Sequence, residues 1–324
     1  MIPNFKSRNL DTLKLSVAAL LAGVVIVGMT PAAVAAKIET TFLYKLSNFN
    51  GPIALNRARI NVDRERNEIY VADPRKGAIV IFNARGMEIY RFGEEGNLGN
   101  FIDVAVKPDG NILILSRRTG NPTILVCNFR GEPLSTLELK NIPPAFSNIA
   151  PTHIVYRHQQ IYLLDKSALR LVVTDPAGLF KKGYDIGSLI KLDAKKKDGT
   201  EIAGFSVDRE GNMLFTIPVL FSVFKLTPDR KISGFGRPGS APGRFNVVGG
   251  IVADDKGFLY VADRLKSAVL IFDKDFKFQA EFGYRGIKPN NLIGPNSLGL
   301  DNQGLLYVSQ LRSRGISVFK ISYK

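Results

Sequence analysis

The chain holds one cysteine and two histidines among its 324 residues. A lone cysteine cannot form an internal disulfide even in an oxidising compartment, so stability has to come from packing alone. Cys127 lies in the apolar stretch Thr123-Ile-Leu-Val-Cys-Asn-Phe129 and reads as a buried core thiol. The histidines, His153 and His158, are five apart. On a strand that spacing sends them toward opposite ends, so a shared metal is disfavoured and both read as structural. There is no Gly-x-Ser-x-Gly elbow and no His-Glu-x-x-His zinc motif. Acidic residues are also in deficit, 29 Asp and Glu against 44 Lys and Arg, for a net charge of +15. Such a surplus favours anionic partners and solubility, and says nothing about fold.

Residues 1–36 are set apart from the rest. Lys6, Arg8 and Lys14 precede an uncharged apolar run from Leu15 to Met29, which gives way to Thr30-Pro-Ala-Ala-Val-Ala-Ala36. A positive start, an apolar middle and an A-x-A-like end read as a secretory signal peptide. The rival reading is an uncleaved membrane anchor, because Leu15 to Ala36 almost suffices to span a bilayer. With no cysteine nearby, a lipid-attached cysteine is excluded. Export to the periplasm or beyond follows from the first reading, and contact with a membrane only from the second.

One pattern then returns six times: a short strand, a polar turn, and a second strand centred on an aromatic or branched residue. It appears at 61–73, 105–117, 154–165, 206–217, 252–263 and 299–310, with anchors Tyr70, Ile114, Tyr162, Phe215, Tyr260 and Tyr307 spaced 44 to 53 residues apart. A period of this length with several strands per unit predicts stacked propeller blades. Each unit resolves into four strands, a to d. In the fifth they are 249–254, 258–263, 268–273 and 278–283. Strand c recurs independently as AIVIFN, TILVCN, RLVVTD, SVFKLT, AVLIFD and GISVFK. The prediction is an all-β chain, one six-bladed β-propeller of four-stranded antiparallel blades over residues 37–324. The sixth unit reaches Lys324 without a strand d, so residues 42–50 are expected to complete the last blade and close the ring.

Segment 243–283, GRFNVVGGIVADDKGFLYVADRLKSAVLIFDKDFKFQAEFG, resembles the NHL repeat. Asn61-Val-Asp and Ile69-Tyr-Val-Ala-Asp73 carry the likeness in the first unit. The second to fourth units are eroded, and the Pro-x-Gly before strand a survives only as Gly249-Gly250 and Pro295. The resemblance implies a six-bladed propeller and leaves activity open, since such repeats occur in lyases, lactonases, RNA-binding modules and scaffolds.

Propeller enzymes work at the central channel, where strands a begin. Here that mouth is predicted at Arg59, Asp103, His153, Asn296 and Ser297. Asp103 is the ring's one acid and is expected to pair with Arg59, which leaves too few oxygen ligands for a calcium site. No catalytic residue, metal or cofactor is assigned. Asp73, Asp165 and Asp263 recur at strand ends and read as turn-forming acids.

The loops offer a sharper asymmetry. Those joining strands b and c carry Arg75 and Lys76, Arg117 and Arg118, Lys166 and Arg170, Arg264 and Lys266, and Arg312 and Arg314, all on one face. In the fourth unit the same loop is Ile217-Pro-Val-Leu220-Phe221, an apolar anchor if exposed, unless the connection around Tyr184 to Ile190 folds over it. The reading is a non-catalytic binding scaffold that takes a protein partner or an acidic polymer on the b–c and d–a loop face. Nucleic acid is disfavoured, because aromatic stacking platforms are scarce in these loops. The alternative is a lyase- or lactonase-type propeller enzyme with a metal at the channel.

Overall fold

Runs of branched and aromatic residues, cut by polar turns such as Asp109-Gly110, Lys256-Gly257 and Gln303-Gly304, fold as strands because each run can bury both faces between neighbouring sheets. A computed structural model describes residues 38–324 except 97, 118–121 and 194–196. Residues 1–36, read above as a signal peptide or a membrane anchor, and Arg118 lie outside the described residues.

Six four-stranded antiparallel sheets form the blades of a β-propeller. Blade one is Arg59–Asp63, Glu68–Asp73, Ala78–Phe82 and Glu88–Phe92; blade two is Asn100–Val106, Ile112–Arg117, Pro122–Cys127 and Pro133–Leu137. Blade three is His153–Arg157, Gln160–Asp165, Arg170–Thr174 and Phe180–Asp185; blade four is Gly204–Val207, Met213–Ile217, Ser222–Leu226 and Ile232–Phe235. Blade five is Val248–Ala253, Leu259–Asp263, Ala268–Phe272 and Phe278–Gly283. Blade six takes Leu298–Leu300, Leu305–Ser309 and Ile316–Tyr323 from the end of the chain and Ile38–Lys45 from its beginning.

The closing strand differs in extent from the sequence expectation. It begins at Ile38 and ends at Lys45, paired from Ile38 opposite Tyr323 to Lys45 opposite Ser317 with a bulge between Phe42 and Tyr44. Residues 47–52 turn away as a small hairpin, because the Asn48 side chain accepts the Asn50 amide at 2.9 Å and fixes an Asx turn.

Strands b and c of blades one and five are almost wholly buried, whereas the outer strand Pro133–Leu137 is mostly exposed. Simple alternation therefore fails in the middle of each blade, where both faces meet neighbouring blades. Cys127 is fully buried beside Ile114 and Leu125. Burial pushes its thiol up to about 11. The strand-end acids make turns: Asp165 accepts the amides of Ser167 and Ala168, and Asp263 those of Leu265 and Lys266. Asp73 does the same for Arg75.

Candidate functional site at the mouth of the central channel

Strands a run beside the axis, so the residues at their starts converge on one opening. A cavity of about 430 Å³ lies there, lined among others by Arg57, Arg59, Asp103, His153, Arg264 and Asn296. Its two halves differ in chemistry. Blades one to three contribute Arg59, Asp103 and His153, while strand a of blade four begins with Gly204 and that of blade five carries Gly249 and Gly250 directly after Val248. A Cβ on Gly204 would stand 2.3 Å from the Gly249 carbonyl oxygen, and one on Gly250 would stand 2.7 Å from that of Asn296. These glycines let the backbones of blades four, five and six approach one another and leave space at the mouth for Arg264 and Asn296.

The polar half is tied together. Arg59 donates to Asp103 at 3.2 Å and to the Thr152 carbonyl at 2.9 Å. Asp103 follows a bulge in strand a of blade two, a device that re-aims a side chain. Its carboxylate also accepts the amides of Ile154 and Val104, each at 3.1 Å. Burial raises the Asp103 pKa, against the lowering pull of Arg59 and the two amides. His153 Nδ1 lies 3.1 Å from the Thr152 hydroxyl, and its ring meets Phe205 edge-on at 6.4 Å. Burial, reinforced by Arg59 and Lys166, holds His153 well below its usual value, so its imidazole is neutral near pH 7. Ser297 accepts the Ile60 amide at 3.2 Å, and the Asn296 main chain is held by Ser309 and Gly250.

The structure thus gathers all five predicted mouth residues, with the Arg59–Asp103 pair formed. His158 lies at the opposite opening of the channel, in a turn with φ 53°. The donor set does not fit a divalent cation. Asp103 is engaged with Arg59 and two amides, and Glu201 with Lys166 at 2.7 Å and Ser167 at 2.7 Å. Among the described residues, no group of three or more His, Cys, Asp or Glu side chains is placed to hold a metal.

The loop residues sort differently from the sequence expectation. Arg75, Lys76, Arg117 and Arg312 are exposed, and none of them makes an ion pair among the described residues. Lys266 is a correction: it is buried in an ion pair with Glu281 at 2.8 Å, and the carbonyls of Ala241 and Arg244 wrap its ammonium group. Lys166 is tied to Glu201, while Arg170 is half-buried. Arg314 is half-buried too, with Nε and Nη2 covered and without a partner. Arg264 turns inward and lines the channel mouth rather than the rim.

The apolar loop of blade four is corrected as well. Ile217 is fully buried, and Leu220 packs in the cluster that holds Leu189, Ile190 and Leu192 from the third connection. Phe221 packs toward blade five, so only Val219, 55% exposed, remains outward. A Pro-initiated turn at Pro218–Leu220 folds the loop back onto its own blade.

Sequence reasoning placed Arg264 on the loop rim and missed its convergence with Arg57 in the mouth. The signal was Gly249-Gly250, whose missing side chains leave room for Arg264 to reach inward.

No protein-family model and no curated protein sequence matches the chain. Several solved structures are similar in fold. A structural-genomics protein from Bacteroides thetaiotaomicron has a TM-score of 0.63 at 13% identity, over 88% of this chain and 77% of that one. A streptogramin B lyase has a TM-score of 0.58 at 12% identity, over 88% of this chain and 98% of that one. A gluconolactonase from Xanthomonas campestris has a TM-score of 0.57 at 11% identity, over 91% and 94%. At these identities the likeness shows the propeller fold and does not select among its functions.

Proposed function

We propose that the chain is an exported, non-catalytic NHL-like propeller that captures an anionic partner on its b–c and d–a loop face. One observation carries the reading: exposed cations without an acidic partner recur in the b–c loops of blades one, two and six. On the a–b and c–d side several cations have a local acid, as in Arg66–Asp63 at 2.9 Å, Lys107–Asp109 at 2.9 Å and Lys231–Asp229 at 3.0 Å, while Arg85, Arg130, Arg209 and Lys274 are exposed without one among the described residues. On the loop side Arg75, Lys76, Arg117 and Arg312 stand exposed without such partners among the described residues. Unpaired surface cations on one rim focus potential toward an acidic polymer or the acidic patch of a protein. The donor set of the mouth, unfit for a divalent ion, gives the metal-dependent alternative no support.

The test compares two quadruple variants for binding to an acidic polysaccharide across a salt series. Arg75→Glu, Lys76→Glu, Arg117→Glu and Arg312→Glu together are expected to weaken binding at least about tenfold. The matched set Arg85→Glu, Arg130→Glu, Arg209→Glu and Lys274→Glu on the other face should change it little. Affinity should fall steeply as salt rises past the point where the screening length is about 8–10 Å. Equal losses from the two sets would reduce the effect to general attraction to a cationic protein and sink the reading.

A further inference from the structure

Arg57 and Arg264 both line the channel mouth, and among the described residues no carboxylate forms an ion pair with either. Arg57 sits in left-handed backbone, φ 54°, where its amide N–H donates to the Gln310 carbonyl at 3.1 Å. Arg264 directly follows strand b of blade five, and its amide donates to the Val247 carbonyl at 2.8 Å. Its Nε is buried and has no hydrogen-bond partner among the described residues. Burial first, and then the nearby charge of Arg57, hold the Arg264 pKa below its ordinary value, so the two side chains feel one another.

Both arginines line the same cavity. The acids of that lining, Asp103 and Glu201, are taken up by Arg59 and Lys166. Two more polar groups there lack protein partners among the described residues: the Asn296 side-chain amide, and His153 Nε2, whose sister nitrogen is occupied by Thr152. Arg264 is half-buried with a like charge, the exposed Arg57, nearby; a partly desolvated cation so placed is unfavourable, and an incoming anion relieves it. The planar fork of arginine matches a carboxylate or a phosphate through paired N–H donors. A volume of about 430 Å³ suits a small molecule rather than a polymer chain.

We infer that the channel mouth binds a small molecule bearing an oxyanion, its carboxylate or phosphate seated between Arg57 and Arg264 and its polar remainder against Asn296 and His153. This site does not depend on the outer rim, and the experiment separates the two.

The full-length chain is heated with increasing inorganic phosphate, with increasing succinate, and with sodium chloride at matched ionic strength. A ligand that binds only the folded state raises the melting temperature with concentration. Phosphate or succinate is expected to raise it above the chloride control, and the stronger of the two identifies the oxyanion. Arg57→Gln and Arg264→Gln should each weaken the apparent affinity at least about tenfold, while the quadruple rim variant Arg75→Glu, Lys76→Glu, Arg117→Glu and Arg312→Glu should leave it within about threefold. Arg264→Gln should also melt higher than wild type without ligand, because it removes a partly buried unpaired charge; a merely structural arginine would do the reverse. Should Arg264→Gln fail to fold, Arg57→Gln on an exposed loop position decides alone. Phosphate and succinate doing no more than chloride, or the rim variant losing as much as the channel variants, would overturn the inference.

Discussion

If the ring is held shut by Ile38–Lys45, the two sides of that strand should differ sharply in worth. Phe42 is half-buried and meets Phe319 edge-on, with ring centroids 5.7 Å apart and planes at 73°. Leu43, its neighbour, points the other way and is 43% exposed. Truncating a fully buried Phe to Ala costs about 3–5 kcal/mol, so a half-buried one should cost about 2 kcal/mol. Leu43→Ala should cost no more than about 0.5 kcal/mol. For a chain of this size 2 kcal/mol lowers the melting temperature by about 3–4 °C. Chemical denaturation should show a lower midpoint with an unchanged slope. Deleting residues 38–45 is far more severe. It removes seven register pairs with Ile316–Tyr323 and uncovers the cluster under Ile38 and Phe42. Side-chain burial at about 1.5–3 kcal/mol per large residue, with the ladder bonds added, gives a loss of about 5 kcal/mol or more. That is comparable with the whole stability of a typical domain, and the bare edge invites pairing between chains. Circular dichroism melting and sedimentation check both effects. A truncated chain that stays monomeric and melts like wild type would refute the closure, as would Leu43→Ala matching Phe42→Ala.

Two further outcomes rest on buried charge. His153 has its folded pKa held well below 6.5, so between that lowered value and 6.5 the unfolded chain binds the additional proton and stability falls as pH drops through the window. His153→Asn, which keeps a hydrogen-bonding group near Thr152, should flatten the decline in stability below about pH 6.5; an unchanged pH profile in denaturant titrations would count against a neutral buried imidazole. Lys266 and Glu281 have side chains only 6% and 8% exposed. Glu281→Gln should therefore cost about 3 kcal/mol by stranding the ammonium, while the double change Lys266→Met with Glu281→Leu should recover much of it, and equal melting temperatures for single and double variants would contradict the pairing.

The sequence by itself determined the repeat, and with it the fold. Strands b and c read clearly because Tyr70, Tyr260 and Tyr307, and runs such as Ala78–Phe82, recur at nearly constant spacing, and repetition along the chain is a local signal. The closing strand could be placed in the last blade from the strand count alone. Its boundaries could not, because they depend on register with Ile316–Tyr323, a partner nearly the whole chain away. The Arg59–Asp103 pair was also legible, since adjacent blades place equivalent positions side by side.

What only the tertiary structure decided is where long side chains end. Lys266 and Arg264 are two residues apart in one loop and look alike in sequence. Glu281 and two carbonyls draw Lys266 into the blade, while the glycine-lined gap at Gly249-Gly250 lets Arg264 turn into the channel beside Arg57. Ile217 likewise reads as a surface anchor until Leu189 and Ile190 cover its neighbour Leu220. A flexible side chain spans several ångströms, and its destination is set by space and charge contributed by other segments. Periodicity fixes the backbone and carries no record of those neighbours.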